Sequence, residues 1–109
     1  MPKDAKHALA EFVINEVLDP VMKARPDTLE DADRPVLEHL QQATRAEIER
    51  YRAYGSAEEV LVNFRRDLTS RPAKKVHAEL NRLGLPTLLD IRDRFEDLAR
   101  SRGVHASSS

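Results

Sequence analysis

Residues 70–87, SRPAKKVHAELNRLGLPT, hold a helix start, one complete helix, a helix stop and the start of the next helix. Ser70 is of the type whose side-chain oxygen accepts a first-turn amide, and Pro72 falls inside that turn, where a missing backbone donor costs nothing. Val76, Leu80 and Leu83 follow at spacings of four and three, the period of a helix with one apolar line. Gly84 provides the left-handed residue that ends it, with Leu85 folding back on Leu80 as in a Schellman ending. Pro86 and Thr87 then reset the chain.

The same punctuation continues on both sides. Downstream, Thr87 to Asp90 open a helix with Leu88, Ile91, Phe95 and Leu98 as its buried line, and the acid-first pairs Asp90–Arg94 and Glu96–Arg100 stand four apart, the favourable order on a helix. Past Gly103 the residues 104–109, VHASSS, carry no partner signals and are expected to be a disordered tail. Upstream, Gly55 stands where a C-terminal glycine belongs, and Ser56-Ala57-Glu58-Glu59 is a capping box that opens a helix to about residue 68. That helix presents Ala57, Val60, Leu61, Phe64 and Leu68.

Before it, residues 34 to about 54 read as the long helix of the protein, about 30 Å at roughly 1.5 Å per residue. Its inner line is Leu37, Leu40, Thr44, Ile48 and Tyr51, widened by Val36, Ala43 and Tyr54. Thr28 to Asp31 has capping-box spacing and predicts a short turn over 28–32. The first helix spans 3–18 on Ala5, Ala8, Leu9, Phe12, Val13 and Val17, with the line continuing to Val21. Ile14 and Leu18 make its apolar face wide enough to be either central in a bundle or shared with a second subunit. Asp19-Pro20 predicts a restart or kink there. Strict alternation never occurs, so the expectation is an all-α, single-domain bundle of about five helices in antiparallel or angled packing over residues 1–103.

Composition narrows the class. The chain has 109 residues, enough for one core, with 40% hydrophobic and 34% charged side chains. With no tryptophan and only Phe12, Phe64, Phe95, Tyr51 and Tyr54 aromatic, the core is built mainly of Leu, Val, Ile and Ala. The absence of cysteine excludes disulfides, thiolate metal sites and a cysteine nucleophile, and it agrees with a reducing compartment. No run approaches the roughly 20 apolar residues of a membrane span, and Glu11, Asn15 and Glu16 interrupt any signal-like stretch, so a cytoplasmic protein with no membrane role is expected. Net charge is −1, divided as −3 over residues 1–55 and +2 over 56–109.

Within that near-neutral chain, Arg65, Arg66, Arg71, Lys74, Lys75 and Arg82 are opposed only by Asp67 and Glu79. A helix, a short turn and a second helix opening SRPAKKV over residues 57–83 give a DNA-reading helix-turn-helix its outline, with these six cations as its nucleic-acid contacts. Against it stand the missing turn glycine and an isoelectric point near 6.4, which fit a solvated helix face better. Asp4, His7 and Glu11 share one side of the first helix, with Asn15 continuing the line, but no second acid-and-histidine pair completes a metal site. His39, His77 and His105 are scattered and read as surface or half-buried side chains; His77 stands one turn from Asn81 as a bonding partner. Tyr51 and Tyr54, beside Arg50 and Arg52, offer a stacking patch or helix-packing rings.

Ser56 and Ser70 are explained as caps, no strand-turn-helix elbow exists, and Gly55, Gly84 and Gly103 each fall at a helix end. The expectation is therefore a non-catalytic helical bundle without a cofactor or metal, acting through contacts with a protein partner or with itself, as a homodimer. A DNA-binding regulator is the alternative, and a helical metal- or small-ligand-binding protein the weaker one.

Overall fold

The computed structural model describes residues 5–105, and five helices carry them. Helix α1 is made of three joined pieces, Ala5–Val13, a π-helical Ile14–Leu18, and Asp19–Lys23. Helix α2 is Arg34–Ala53, α3 is Ala57–Thr69, α4 is Arg71–Arg82, and α5 is Arg92–Ser101, entered through a single 3-10 turn, Leu89–Ile91. No strand occurs among the described residues, and none of their helices is long and apolar enough to cross a membrane.

Pro20 neither ends nor restarts the first helix. A proline inside an α-helix deletes one backbone bond and presses its ring on the carbonyl four residues back. Here the preceding turn is wider: the Asp19 N–H reaches five residues back to the Ile14 carbonyl, and the helix runs on to Lys23. The extra residue in that turn rotates the last stretch of the helix, so Ile14, Val17, Leu18 and Val21 all face inward. At its end, the Gln41 amide of α2 donates to the carbonyls of Ala24 at 2.9 Å and Val21 at 3.1 Å, the second of which also accepts the Ala24 N–H.

The wide face of α1 is filled within one chain. Leu9, Ala10, Val13 and Val17 join Tyr51, Val60, Leu61, Phe64 and Phe95 in the main core, where Phe64 and Phe95 stack at 4.1 Å. Val21 reaches a smaller cluster with Leu37, Leu40 and Leu80, onto which Leu83 and Leu85 pack. Of the two roles open to that face, the packing within the chain shows the central one.

Local punctuation forms as expected, with three amendments. Ser70 Oγ accepts the Ala73 N–H at 3.1 Å, Gly84 is left-handed at φ 75°, and the Leu85 N–H returns to the Leu80 carbonyl at 2.8 Å. Thr87 and Asp90 cap each other reciprocally at 3.1 and 3.3 Å. At Gly55 the chain is not left-handed; its N–H instead donates to the Glu59 carboxylate while Ser56 accepts the Glu59 N–H. Thr28 heads no capping box: Pro26–Thr28 is a 3-10 turn, and the Thr28 hydroxyl donates back to the Arg25 carbonyl at 2.7 Å. A second glycine-ended return, at Gly103 with φ 70°, brings the Val104 N–H to the Ala99 carbonyl at 2.9 Å. It buries Val104 in the main core, so the packed chain extends past residue 103. Residues 106–109 of the expected tail lie outside the described residues.

The acid-first pairs within α5 do not form. Asp90 is engaged in its cap, Arg94 meets Glu16 of α1 at 2.6 Å, Glu96 accepts from two nitrogens of Arg65 of α3, Nε at 2.9 Å and Nη2 at 2.8 Å, and Arg100 turns to Asp97. A pair four apart on one helix is worth only about 0.3–0.5 kcal/mol, which a forked Arg–carboxylate contact between helices outweighs.

Candidate functional site

Only one residue, Ser70, separates α3 from α4, so the phase of α4 is set by the end of α3. Ala73, His77 and Leu80 then share its inner face; His77 is 4% exposed, and Val76, expected inside, is 38% exposed. The apolar pattern places Leu80 and Leu83 correctly and fails at Val76, which outranks His77 in hydrophobicity, while the packing direction is inherited from α3. A one-residue link also differs from the three- to four-residue turn of a helix-turn-helix.

Between α4 and the first half of α2 runs a groove of about 580 Å³. Its apolar surface comes from Pro35, Val36 and Leu40 on one side and Pro72 and Val76 on the other, with His39, Lys75, Glu79 and Arg82 along the edges. Leu40, Pro72 and Val76 also line a deeper cavity of about 230 Å³. Val17, Leu18 and Val21 of α1 and Leu80 of α4 are among its apolar lining, and Thr44, His77, Glu47, Arg50, Tyr51 and Asp67 among its polar lining. His77 finds no hydrogen-bond partner for either ring nitrogen among the described residues. Burial holds its pKa below the usual histidine value, against the opposite pull of Asp90 and Asp67, so the ring is neutral.

At the far end of the cavity lies a polar network. The Tyr51 hydroxyl donates to Asp67 Oδ2 at 2.8 Å, and Arg50 donates to the same oxygen at 2.7 Å, to Glu47, and to the Tyr54 hydroxyl at 2.7 Å. Arg50 also lies 5.4 Å from the Tyr51 ring centre and 5.8 Å from that of Tyr54. Burial, then the charge of Asp67, pushes the Tyr51 hydroxyl far above the ordinary tyrosine range. For Arg50 burial pulls the pKa down, but the bond to Glu47 and the charge of Asp67 outweigh it and the net shift is upward. Both upward shifts keep Tyr51 protonated and Arg50 charged near neutrality.

The six basic residues divide. Arg65 is taken by Glu96, whose carboxyl that bond holds below its ordinary pKa, and Arg82 is taken by Asp33 and Glu79. Asp33, at the N-cap position of α2, makes no capping bond and is instead a tether for α4. Arg66, Arg71, Lys74 and Lys75 are exposed and make no side-chain ion pair among the described residues. Tyr51 and Tyr54 are packing rings, and Arg52 meets Glu11 at 3.8 Å. His7, Glu11 and Asn15 line a shallow depression with Phe12 and Arg102. Asp4, which shares one side of the first helix with His7 and Glu11 in the sequence, lies outside the described residues, among which no group of three acids or histidines is placed to hold a metal. His39 stands at the groove edge and His105 is exposed.

Comparison with protein-family models, with characterised proteins and with solved structures finds no match to this chain.

Proposed function

We propose that this protein is a non-catalytic binding module that takes an acidic amphipathic helix of a partner protein into the groove between α2 and α4. The observation that carries the reading is the groove itself: a strip of Pro35, Val36, Pro72 and Val76 over the buried Leu40, beside a helix that bears Arg71, Lys74 and Lys75 without acidic partners among the described residues. An apolar strip between two helices receives the apolar stripe of a third, and Lys75 on its rim, with Arg71 and Lys74 on the same helix, favours a partner helix that carries carboxylates. The apolar floor favours a peptide over a phosphate backbone. A two-fold contact between copies through this face would bring two helices of the same positive charge together, which favours a different partner over self-association. The lack of cysteine supports a reducing, cytoplasmic setting.

The test is calorimetric titration of the full chain with a synthetic helical peptide carrying leucines at i, i+3, i+4 and i+7 and glutamates elsewhere, alongside a scrambled control and duplex DNA at two salt concentrations. Saturable binding of the patterned peptide, weakened at least about tenfold by Val76→Glu and by Lys74→Glu with Lys75→Glu, is expected. Because those side chains are exposed, the variants keep the fold. Peptide binding indifferent to them refutes the groove. Preferential, salt-sensitive binding of DNA that needs Arg71, Lys74 and Lys75 replaces the reading with the nucleic-acid one, and a concentration-dependent dimer in light scattering that Val76→Glu abolishes replaces it with self-association.

A further inference from the structure

We infer that the deeper cavity receives one large aromatic side chain of the partner helix, and so sets which helices the groove accepts. This deepens the groove reading and rests on it.

The groove and the cavity are consecutive stretches of one seam. On α2 the groove is lined as far as Leu40 and the cavity from Leu40 through Ala43 and Glu47, while on α4 Pro72 and Val76 line both. Val36, Leu40, Ala43 and Glu47 stand four, three and four residues apart. They therefore follow one face of α2 over about 16 Å, at roughly 1.5 Å per residue. A helix lying in the groove meets the cavity within about three turns. Of the cavity's lining, Ala43, Pro72 and Val76 are exposed, whereas Val17, Val21 and Leu80 are buried, so it opens outward and ends on the core.

Space and surface select the occupant. A cavity of about 150 Å³ lined by aliphatic side chains holds benzene. The volume here, about 230 Å³, takes a phenyl or indole group. A smaller side chain would leave part of the wall without contacts. The surface on offer is mainly apolar, and the charged residues along it are already paired: Arg50 with Glu47 and Asp67, and Asp67 also with Tyr51. A charged side chain entering would compete with those pairs, whereas an aromatic ring leaves them intact. Large rings set in a pocket and ringed by contacts that exclude water are the side chains on which interface affinity concentrates. The partner is thus an acidic helix with one aromatic residue on its apolar stripe.

The chain contains no tryptophan, so a tryptophan in a peptide reports only its own surroundings. The leucine-and-glutamate helical peptide is compared with four variants, each with one leucine replaced by tryptophan, using calorimetry and tryptophan emission with the full chain. One of the four positions should bind at least about tenfold more tightly than the all-leucine peptide, with emission shifted to the blue and shielded from acrylamide. Ala43→Leu narrows the cavity from its exposed side and keeps the fold, because Ala43 is exposed and leucine suits a helix. It should abolish the tryptophan advantage while leaving the affinity of the all-leucine peptide within about twofold. If the all-leucine peptide binds and no tryptophan position gains, or the gain survives Ala43→Leu, the anchor is overturned and the groove stands. Absence of binding by every peptide overturns both.

Discussion

Replacing Tyr51 by phenylalanine removes one oxygen from the middle of the protein and almost nothing else. The ring is 1% exposed and stays in place against Tyr54, so no cavity larger than a hydroxyl is created. The substitution deletes a 2.8 Å bond to the Asp67 carboxylate. A hydrogen bond to a charged acceptor contributes about 1.5–3 kcal/mol. Asp67 keeps Arg50 at 2.7 Å and its side chain is 20% exposed to water, which places the expected loss in the lower half of that range, about 1.5–2 kcal/mol. Denaturant unfolding should show that loss as a lower midpoint with an unchanged slope, and calorimetry as a fall of roughly 6–12 °C in Tm. In a cycle with Asp67→Asn, the two substitutions should cost less together than the sum of each alone, since they share one bond. Folding also raises the Tyr51 pKa above its ordinary value of 10.0, so its proton contributes stability that is full below pH 10 and lost as pH rises further. Tyr51→Phe should lose that alkaline dependence. A variant within about 0.5 kcal/mol of the parent, or strict additivity with Asp67→Asn, refutes the assignment of the network as a structural tie.

Three further outcomes are expected. Ser70→Ala removes the side-chain acceptor for the Ala73 N–H and should cost about 1 kcal/mol of stability, measurable by urea unfolding. Gly84→Ala places a Cβ in open space but forces alanine into φ 75°, so a loss of about 1–2 kcal/mol should come from backbone strain alone. His77 has a depressed pKa in the folded chain, so the unfolded chain binds the proton more readily; stability is therefore full above the unfolded value near 6.5 and falls as pH drops below it. His77→Phe should flatten that slope in pH-dependent thermal melts, leaving only the contributions of carboxylates such as Glu96.

Much of the site was hidden in the sequence for one reason. Capping signals are local, and Ser56, Ser70, Gly84 and Thr87 all act within three or four residues of their own positions, so they can be read directly. Which side of a helix faces inward is legible only when one apolar line dominates, as it does in α3. In α4 the expected line holds at Leu80 and Leu83 but not at Val76, whose place on the inner face is taken by the less hydrophobic His77. Tyr51 and Asp67 stand 16 residues apart on different helices, and Arg65 and Glu96 stand 31 apart; nothing in their local spacing links them.

By itself, the order of residues determined that this chain is helical, where four of its helices begin or end, and that one domain holds together without disulfides, because these depend on backbone capping and apolar period within a few residues. Tertiary structure alone decided that α1 passes through Pro20 and is central, that two of the six cations are held in ties between elements, and that His77 is buried beside a cavity. Those outcomes depend on which surfaces meet. The helix phase at each junction and the competition among distant partners settle them, and neither is written in the spacing of neighbouring residues.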